Sequence, residues 1–423
     1  MRGPLADIKV LEFSEYIAGP FAGMQLGDMG ADIIKIEPPG GEPWRHASSF
    51  IPDESRNFIS LNRGKRSIPL DLSRPEAQEI VYRLLDDVDV VIVNARPDVG
   101  AKLGIDYETL SARKPDLIYC DNTAFGRNGP DRHRPGYDLI AQAVTGLMAS
   151  EAKVKDGLPQ RIQSTALADF ATGLVMAWGI CAALYHRERT GRGQMVQTTL
   201  LATALGFQTS TVTQVEAVDK EPRQGFLDTL DRLRESGAPF DQMLAEYKRQ
   251  RSPWRMDDTF YRTYQASDGV IAVACLSDRL RLRFLEVLGL KDRRFDSDFD
   301  PETEDVEALS ADLSERARKL FLGRTVDDWL ETFDRAGVPA GPIKFPDELL
   351  TDEQVLANDL VVELEHAVAG PVKMAGPMLK MSDSPLSATK ASPALGEHTM
   401  EILGRLDYSE DDIQQLIDDG VTR

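Results

Sequence analysis

The chain has 423 residues, 42% hydrophobic and 28% charged, which is ordinary globular usage with room for two cored domains and excludes disordered and fibrous classes. A net charge of −20 argues against nucleic acid as a partner, because phosphate backbones need a basic footprint. The start, MRGPLADIKV, has no long apolar stretch, and the longest apolar run, near residues 170 to 185, is broken by Thr172, Gly173 and Gly179, so neither secretion nor membrane spanning is expected.

IKVLEF reads as a strand, Pro20 to Met29 as a helix with proline in its first turn and Gly30 past its end, and ADIIKIE as a second strand. SIPLDL continues the alternation, followed by a helix from Pro75 to Leu85 capped by Ser73, then by VDVVIVN and DLIYCDNTAF as further buried strands. The expected class is α/β, a Rossmann-like parallel sheet covered by helices. The first turn, SEYIAGPFAG, lacks GxGxxG, so a dinucleotide is a poor expectation, although ligands should still gather beyond the carboxyl ends of the strands.

Asp169 is a lone acid opening a run of small and apolar residues that recur at helical spacing from Phe170 to Leu184, with Arg187, Glu188 and Arg189 at a solvated end and Gly191 as a left-handed stop. In the first turn of a mostly buried helix, the dipole and the free N–H groups favour its ionised form and offset part of the desolvation cost. A dry carboxylate of that kind is a ready nucleophile. A plain helix-capping acid is the competing reading, and the segment alone does not decide between them.

From about Thr211 to Asp258 the chain turns polar, with DTLDRLRES and MLAEYKRQR as exposed helices. FYRTYQASDGVIAVACLS reads as a hairpin turning at Ser267, Asp268 and Gly269, and RLRLRFLEVLGL as an amphipathic helix. Acidic segments from Asp296 to Glu315 look solvated, TVDDWLETFDRAGVPAGPI is a capped helix with a Gly/Pro stop, Phe345 to Lys380 carries strand-like runs, and HTMEILGRLDYSEDDIQQLIDDG is helical. Residues 1–205 are expected to be the first part of a large domain, 206–255 a helical linker, 256–325 a small α+β domain, 326–345 a return linker, and 346–423 the remainder of the large domain. Cys120, Cys181 and Cys275 are few and far apart, and the five histidines form no HxxxH or HxH pair, so neither a disulfide framework nor a protein-built metal site is expected. A reducing cytoplasm is the default location.

Five ordered blocks carry a specific resemblance: YIAGPFAGMQLGDMGADIIKIEPPGG, NRGKRSIPLDL, LGIDYETLSARKPDLIYC, GVPAGPI and LGEHTMEILGRL, with the Asp169 helix and its AALYHRERTGRGQ end between the third and fourth. Together they resemble the family III CoA-transferases, the group typified by formyl-CoA and crotonobetainyl-CoA transferases. The resemblance implies an interlocked homodimer, no permanently bound cofactor, acyl-CoA and a small carboxylic acid as substrates, and Asp169 as covalent nucleophile. It also implies that the backbone near Ile17 and Ala18 lies at the thiol end, that Leu70, Asp71, Leu72 and Ser73 border the adenine, and that Asn94, Ala95 and Arg96 flank the pantetheine. Lys102 stands where the family usually has Arg, and Arg134, Pro135, Gly136 and Tyr137 match the segment closing on the coenzyme. Arg63, Lys65 and Arg66, with Arg96, Lys102, Arg132 and Arg134, are candidate phosphate contacts.

The related 2-methylacyl-CoA racemases place a histidine where this chain has Tyr137, and a phenol is a poor base near neutral pH, which favours transfer over racemisation. A non-catalytic acyl-CoA-binding protein is the third reading. Asp138 is expected to cap the helix that it opens, with positioning of carbonyl groups near Asp169 as the other reading. Ile17 replaces the Gln of formyl-CoA transferases, and Ser267, Asp268 and Gly269 stand where those enzymes carry a run of glycines. A larger or less polar acyl group than formate or oxalate is therefore expected.

Overall fold

The computed structural model describes residues 2–251 and 259–423 and divides the chain into two compact units. The first joins Met1–Lys220 to Glu353–Arg423, and the second is Glu221–Asp352. The chain is thus mixed α/β, and the first unit carries the sheet.

Six strands, β1 (Lys9–Phe13), β2 (Asp32–Glu37), β3 (Lys65–Pro69), β4 (Val90–Val93), β5 (Ile118–Thr123) and β6 (Gln194–Thr199), form one parallel sheet in the order β3-β2-β1-β4-β5-β6. Successive residues of β4 serve opposite faces: Val90 and Ile92 join one core cluster, Val91 and Val93 the other. Both faces are covered, which is why Val90–Val93 is apolar throughout instead of alternating. The third strand begins two residues earlier than the hydrophobic pattern predicts, because Lys65 and Arg66 are buried in it. Their charge hides them from a reading based on apolarity.

One face is covered by α1 (Ala18–Asp28) and by the long helix of Asp169. Helix α2 (Pro75–Leu85) and the carboxy-terminal helices Thr399–Arg405 and Glu410–Asp418 cover the other, through Ile80, Val81, Leu84, Ile402, Leu403 and Ile413. Ser73 does not cap α2: Arg74 holds that position, and the Ser73 hydroxyl donates instead to Asp71 Oδ1 at 2.6 Å. That side chain lies within reach two residues away and keeps the serine in its own turn.

Helix α3 (Asp138–Val144) precedes α4 (Leu167–Thr190), which ends at Gly191 with φ +69° and is followed by β6 and α5 (Leu200–Gly206). Small residues let α1 and α4 approach closely: a Cβ on Gly173 would stand 2.7 Å from the Ala18 carbonyl oxygen and 2.9 Å from the Phe21 ring. Helix α4 is long and apolar enough to cross a membrane by length and composition, yet Ala168, Met176, Ala177, Ile180 and Ala183 bury one side of it in the sheet core. Its other side exposes Leu174, Trp178 and Tyr185.

In the second unit, strands Tyr261–Gln265, Val270–Ala274 and Ala340–Pro342 form an antiparallel sheet against helices Asp278–Leu288, Val306–Phe321 and Val326–Ala336. The aromatic core is Tyr264, Phe284, Phe321, Trp329 and Phe333. Two stretches read as solvated or linking are structural here. Leu313, Ala317 and Phe321 bury one side of a helix that begins within the acidic region, and Trp329 and Phe333 bury the helix placed in the return linker. In both, apolar residues four apart make a core face that a net acidic composition conceals. The polar stretch from 211 is helical over Glu216–Glu235 and Phe240–Arg251, and its remainder, 252–258, lies outside the described residues.

Candidate active site

The β1–α1 segment is held from beneath by a buried charge network. Lys35 Nζ donates to Glu12 at 3.1 Å and to the Ser14 carbonyl at 2.6 Å, and pairs with Glu42 at 3.0 Å. Lys65 Nζ reaches Glu12 Oε2 at 2.8 Å and donates to the Pro20 carbonyl at 2.8 Å. Burial opposes the charge on Lys35, but Glu42 and Glu12 outweigh it and hold the ammonium above its ordinary value. For Lys65 burial wins over Glu12 and brings its pKa down to about 8. Glu42 in turn accepts the Tyr16 N–H at 2.7 Å.

Asn94 clamps the same segment from β4: its side-chain oxygen accepts the Glu15 N–H at 3.0 Å and its amide donates to the Glu15 carbonyl at 2.7 Å. So held, Tyr16 adopts φ +66°, which costs a non-glycine residue roughly 1–2 kcal/mol. Its ring meets Tyr137 edge-on at 5.4 Å and Trp44 at 5.8 Å. Hydrogen bonding to Tyr137 pushes the Tyr16 hydroxyl up to about 12, and burial raises the neighbouring Glu15 carboxyl while Lys35 draws it back.

Asp169 sits in the first turn of α4, half-buried, its carboxyl making no hydrogen bond among the described residues. The desolvation cost that the helix dipole offsets only in part dominates at this position. Burial first, and then the Asp138 charge, raise its pKa to about 7. Desolvation of a carboxylate exceeds what a helix terminus returns, about 0.3–1 kcal/mol at exposed sites. Of the two duties expected of Asp138, capping its own helix is not the one it has. Tyr137 occupies the N-cap of α3, whereas Asp138 Oδ1 accepts the Ala168 N–H of α4 at 2.7 Å and its Oδ2 accepts from Gln142 at 2.5 Å. It caps the helix of Asp169, 30 residues away in sequence.

A cleft of about 540 Å³ opens beyond the carboxyl ends of the strands, where β1 and β4 lie side by side and their connections leave for opposite ends of the sheet. Asp169, Leu70, Asp71, Leu72, Ser73, Asn94, Ala95, Arg96, Pro135, Gly136 and Tyr137 all line it. Four residues that the resemblance places along the coenzyme do not. Ile17 packs on Phe21, Met24 and Leu61, Ala18 is buried at the start of α1, Lys102 is exposed, and Arg134 is exposed and paired with Asp131 at 3.1 Å.

The other candidate cations are mostly structural. Arg63 makes two bonds to Asp28 at 2.7 and 2.9 Å, Lys65 is fully buried, and Arg66 pairs with Asp32 and Glu401, so the cluster is committed to the fold and is not available to phosphate. Arg132 is exposed and donates to His133. Sequence reasoning missed Glu15, Tyr16, Pro38, Pro39, Asn122 and Thr123 as cleft residues. Each follows a strand or closes one, so the rule of carboxyl-end binding was the available signal.

Relatives match nearly the whole length of the chain. Succinyl-CoA:glutarate CoA-transferase of Mus musculus is 32% identical over 99% of this chain and 90% of its own length. Succinate–glutarate CoA-transferase of Agrobacterium fabrum is 34% identical over 97% of each. Among solved structures, a CAIB/BAIF family protein from Brucella suis is 32% identical with a TM-score of 0.71, covering 96% of this chain and 100% of that one. Rv3272 from Mycobacterium tuberculosis is 27% identical with a TM-score of 0.74, covering 95% and 99%. Residues 5–399 match the profile of CoA-transferase family III, and with relatives of that identity along its full length the chain belongs to this family and is an acyl-CoA:carboxylate CoA-transferase.

Proposed function

We propose that Asp169 is the covalent nucleophile of the transfer. The observation that carries this reading is one half-buried carboxyl at the start of α4, in the wall of the cleft, with a pKa near 7 that leaves a poorly solvated carboxylate available at neutral pH. Asp169 attacks the donor thioester carbonyl, forming a mixed anhydride and breaking the C–S bond to release CoA thiolate. The thiolate attacks the aspartyl carbonyl of the anhydride, giving an aspartyl thioester and releasing the donor as its carboxylate. The acceptor carboxylate then attacks that thioester, and the expelled thiolate takes the acceptor acyl group from the new anhydride, restoring Asp169. No proton is gained or lost over the cycle. Backbone N–H groups at the start of α4 serve the oxyanions.

In this reading the segment Leu70–Ser73 borders the adenine, Asn94 to Arg96 flank the pantetheine, and Arg96 faces a phosphate across the cleft. Substrate CoA is the only coenzyme used, and no cofactor is held permanently. The functional form is a Rossmann-like, interlocked homodimer whose contact takes up the exposed Leu174, Trp178 and Tyr185 of α4, and it works in the cytoplasm, away from membranes. Hydroxylamine added during turnover tests the chemistry. Mass spectrometry should find a hydroxamate on Asp169, and Asp169→Ala should lose exchange while still being stabilised by CoA. An alanine variant that exchanges acyl groups at a comparable rate would exclude the covalent route.

A further inference from the structure

Helix α3 grips the approach to Asp169 through two side chains one turn apart. Asp138 Oδ1 accepts the Ala168 N–H at 2.7 Å; Gln142, fully buried, donates from Nε2 to Asp138 Oδ2 at 2.5 Å, and its Oε1 accepts the Ile162 N–H at 2.9 Å. The Asp138 carboxylate thus accepts at both oxygens, and Gln142 uses both ends of its amide. Together they tie down Ile162 and Ala168, on either side of the stretch that leads into the turn of Asp169. From α5, Thr203 donates to the Ala168 carbonyl at 3.5 Å and shares a hydrogen bond with Thr172 at 2.5 Å. Asp138 is the one charge that acts on Asp169 among the described residues. The other elements packed on this turn, α1 and α5, present Ala18, Phe21 and Thr203, none of which ionises. Of the acids in the cleft wall, Glu15 is under Lys35 and Glu37, Glu37 is bonded to Arg45, and Asp71 to Ser73. In the cycle proposed above Asp169 is charged in the resting enzyme and neutral in the anhydride and the thioester. A fixed carboxylate beside it opposes the first state and not the others, so it favours the attack as long as it stays in place.

We infer that Gln142 is a positioning residue of the transfer: it locks the Asp138 carboxylate against the start of α4, and so sets both the charge beside Asp169 and the placement of the turn that carries it. This rests on the reading of Asp169 as nucleophile given above. Gln142 does not line the cleft, so it acts through Asp138 and Ile162 and not on a substrate. Asp138, Gln142 and Ala168 are all buried within the first unit, and the bonds among them do not wait on a partner subunit. Loss of the Gln142 amide leaves Asp138 Oδ2 and the Ile162 N–H unpaired, which frees the carboxylate to turn and the chain ahead of α4 to shift.

The test compares the full-length wild type with Gln142→Met, which keeps the length of the side chain and removes both hydrogen bonds. With butyryl-CoA or succinyl-CoA as donor and propionate as acceptor, kcat should fall on the order of tenfold to a hundredfold while KM for the donor stays within about twofold. The rising limb of kcat/KM against pH should move to lower pH as the like charge leaves Asp169. In an Asp138→Asn background Gln142→Met should move that limb no further, because the charge it positions is already gone. A glutamine that only fills the core lowers the unfolding midpoint and leaves the limb where it was; that result, or a limb displaced equally in both backgrounds, overturns the inference. Gln142→Asn keeps an amide but is too short to bridge Asp138 and Ile162, and it should repeat the pattern if Gln142→Met does not fold. Should Asp169→Ala still exchange acyl groups, the nucleophile reading fails on its own. In that case, or where neither donor turns over, carbon-13 NMR of the aspartate carboxyls, with Asp169 assigned through Asp169→Asn, decides this one: an Asp169 midpoint lowered by Gln142→Met supports it and an unmoved midpoint overturns it.

Discussion

Replacing Asp169 by Asn separates the energetic cost of this carboxyl from its chemistry. Its pKa rises from 3.8 in a solvated chain to about 7 in the folded one, equivalent to roughly 4 kcal/mol held against the charged form. The residue is only half-buried, so solvent screening brings the usable figure to about 2 kcal/mol. The sign follows from linkage. With the folded value raised, folding is unpenalised below pH 4, and the penalty grows as pH climbs toward 7 and is complete above it. Asp169→Asn keeps the shape and removes the charge, so it should stabilise the first unit by about 2 kcal/mol at pH 8.5 and by about 1 kcal/mol at pH 5.5. Urea denaturation of both proteins at the two pH values, followed through the first unit, measures this directly. A variant that is destabilised at pH 8.5, or whose gain is the same at both, refutes the account of a desolvated acid.

The pH profile of kcat/KM in the wild type should rise with pH through about 7 as Asp169 ionises, and Asp138→Asn should move that limb to lower pH by removing a neighbouring like charge. The same variant keeps the cap on Ala168 but sets an amide donor against the Gln142 amide and should cost about 1 kcal/mol of stability in chemical denaturation. Arg63→Ala leaves Asp28 buried without its partner and should destabilise by about 3–5 kcal/mol with KM for acyl-CoA unchanged, whereas a phosphate ligand would raise KM. Gly173→Val forces a side chain into Ala18 and Phe21 and should cost about 1–3 kcal/mol, seen as a lowered unfolding midpoint. Under the proposed homodimer, Trp178→Asp should shift the protein toward monomer in light scattering, and an unchanged mass would refute a dimer contact through α4.

The amino acid order by itself determined the alternation of strands and helices up to β6, the helix that opens at Asp169, the left-handed stop at Gly191, and the carboxyl-end location of the cleft. These are local or periodic properties: apolar runs, small residues and turn glycines act over a few residues, and parallel strands impose one ligand edge. Tertiary structure alone decided the roles of the charged residues. Arg63, Lys65 and Arg66 read as a basic patch but meet Asp28, Glu12 and Asp32 across strands far apart in the chain, and Asp138 caps a helix other than its own. It also set the ionisation of Asp169, where burial exceeds the dipole, and brought Glu15 and Tyr16 to the cleft through Asn94 and Glu42. A charge has no periodicity, and its partner and its solvation exist only once distant segments have been packed together.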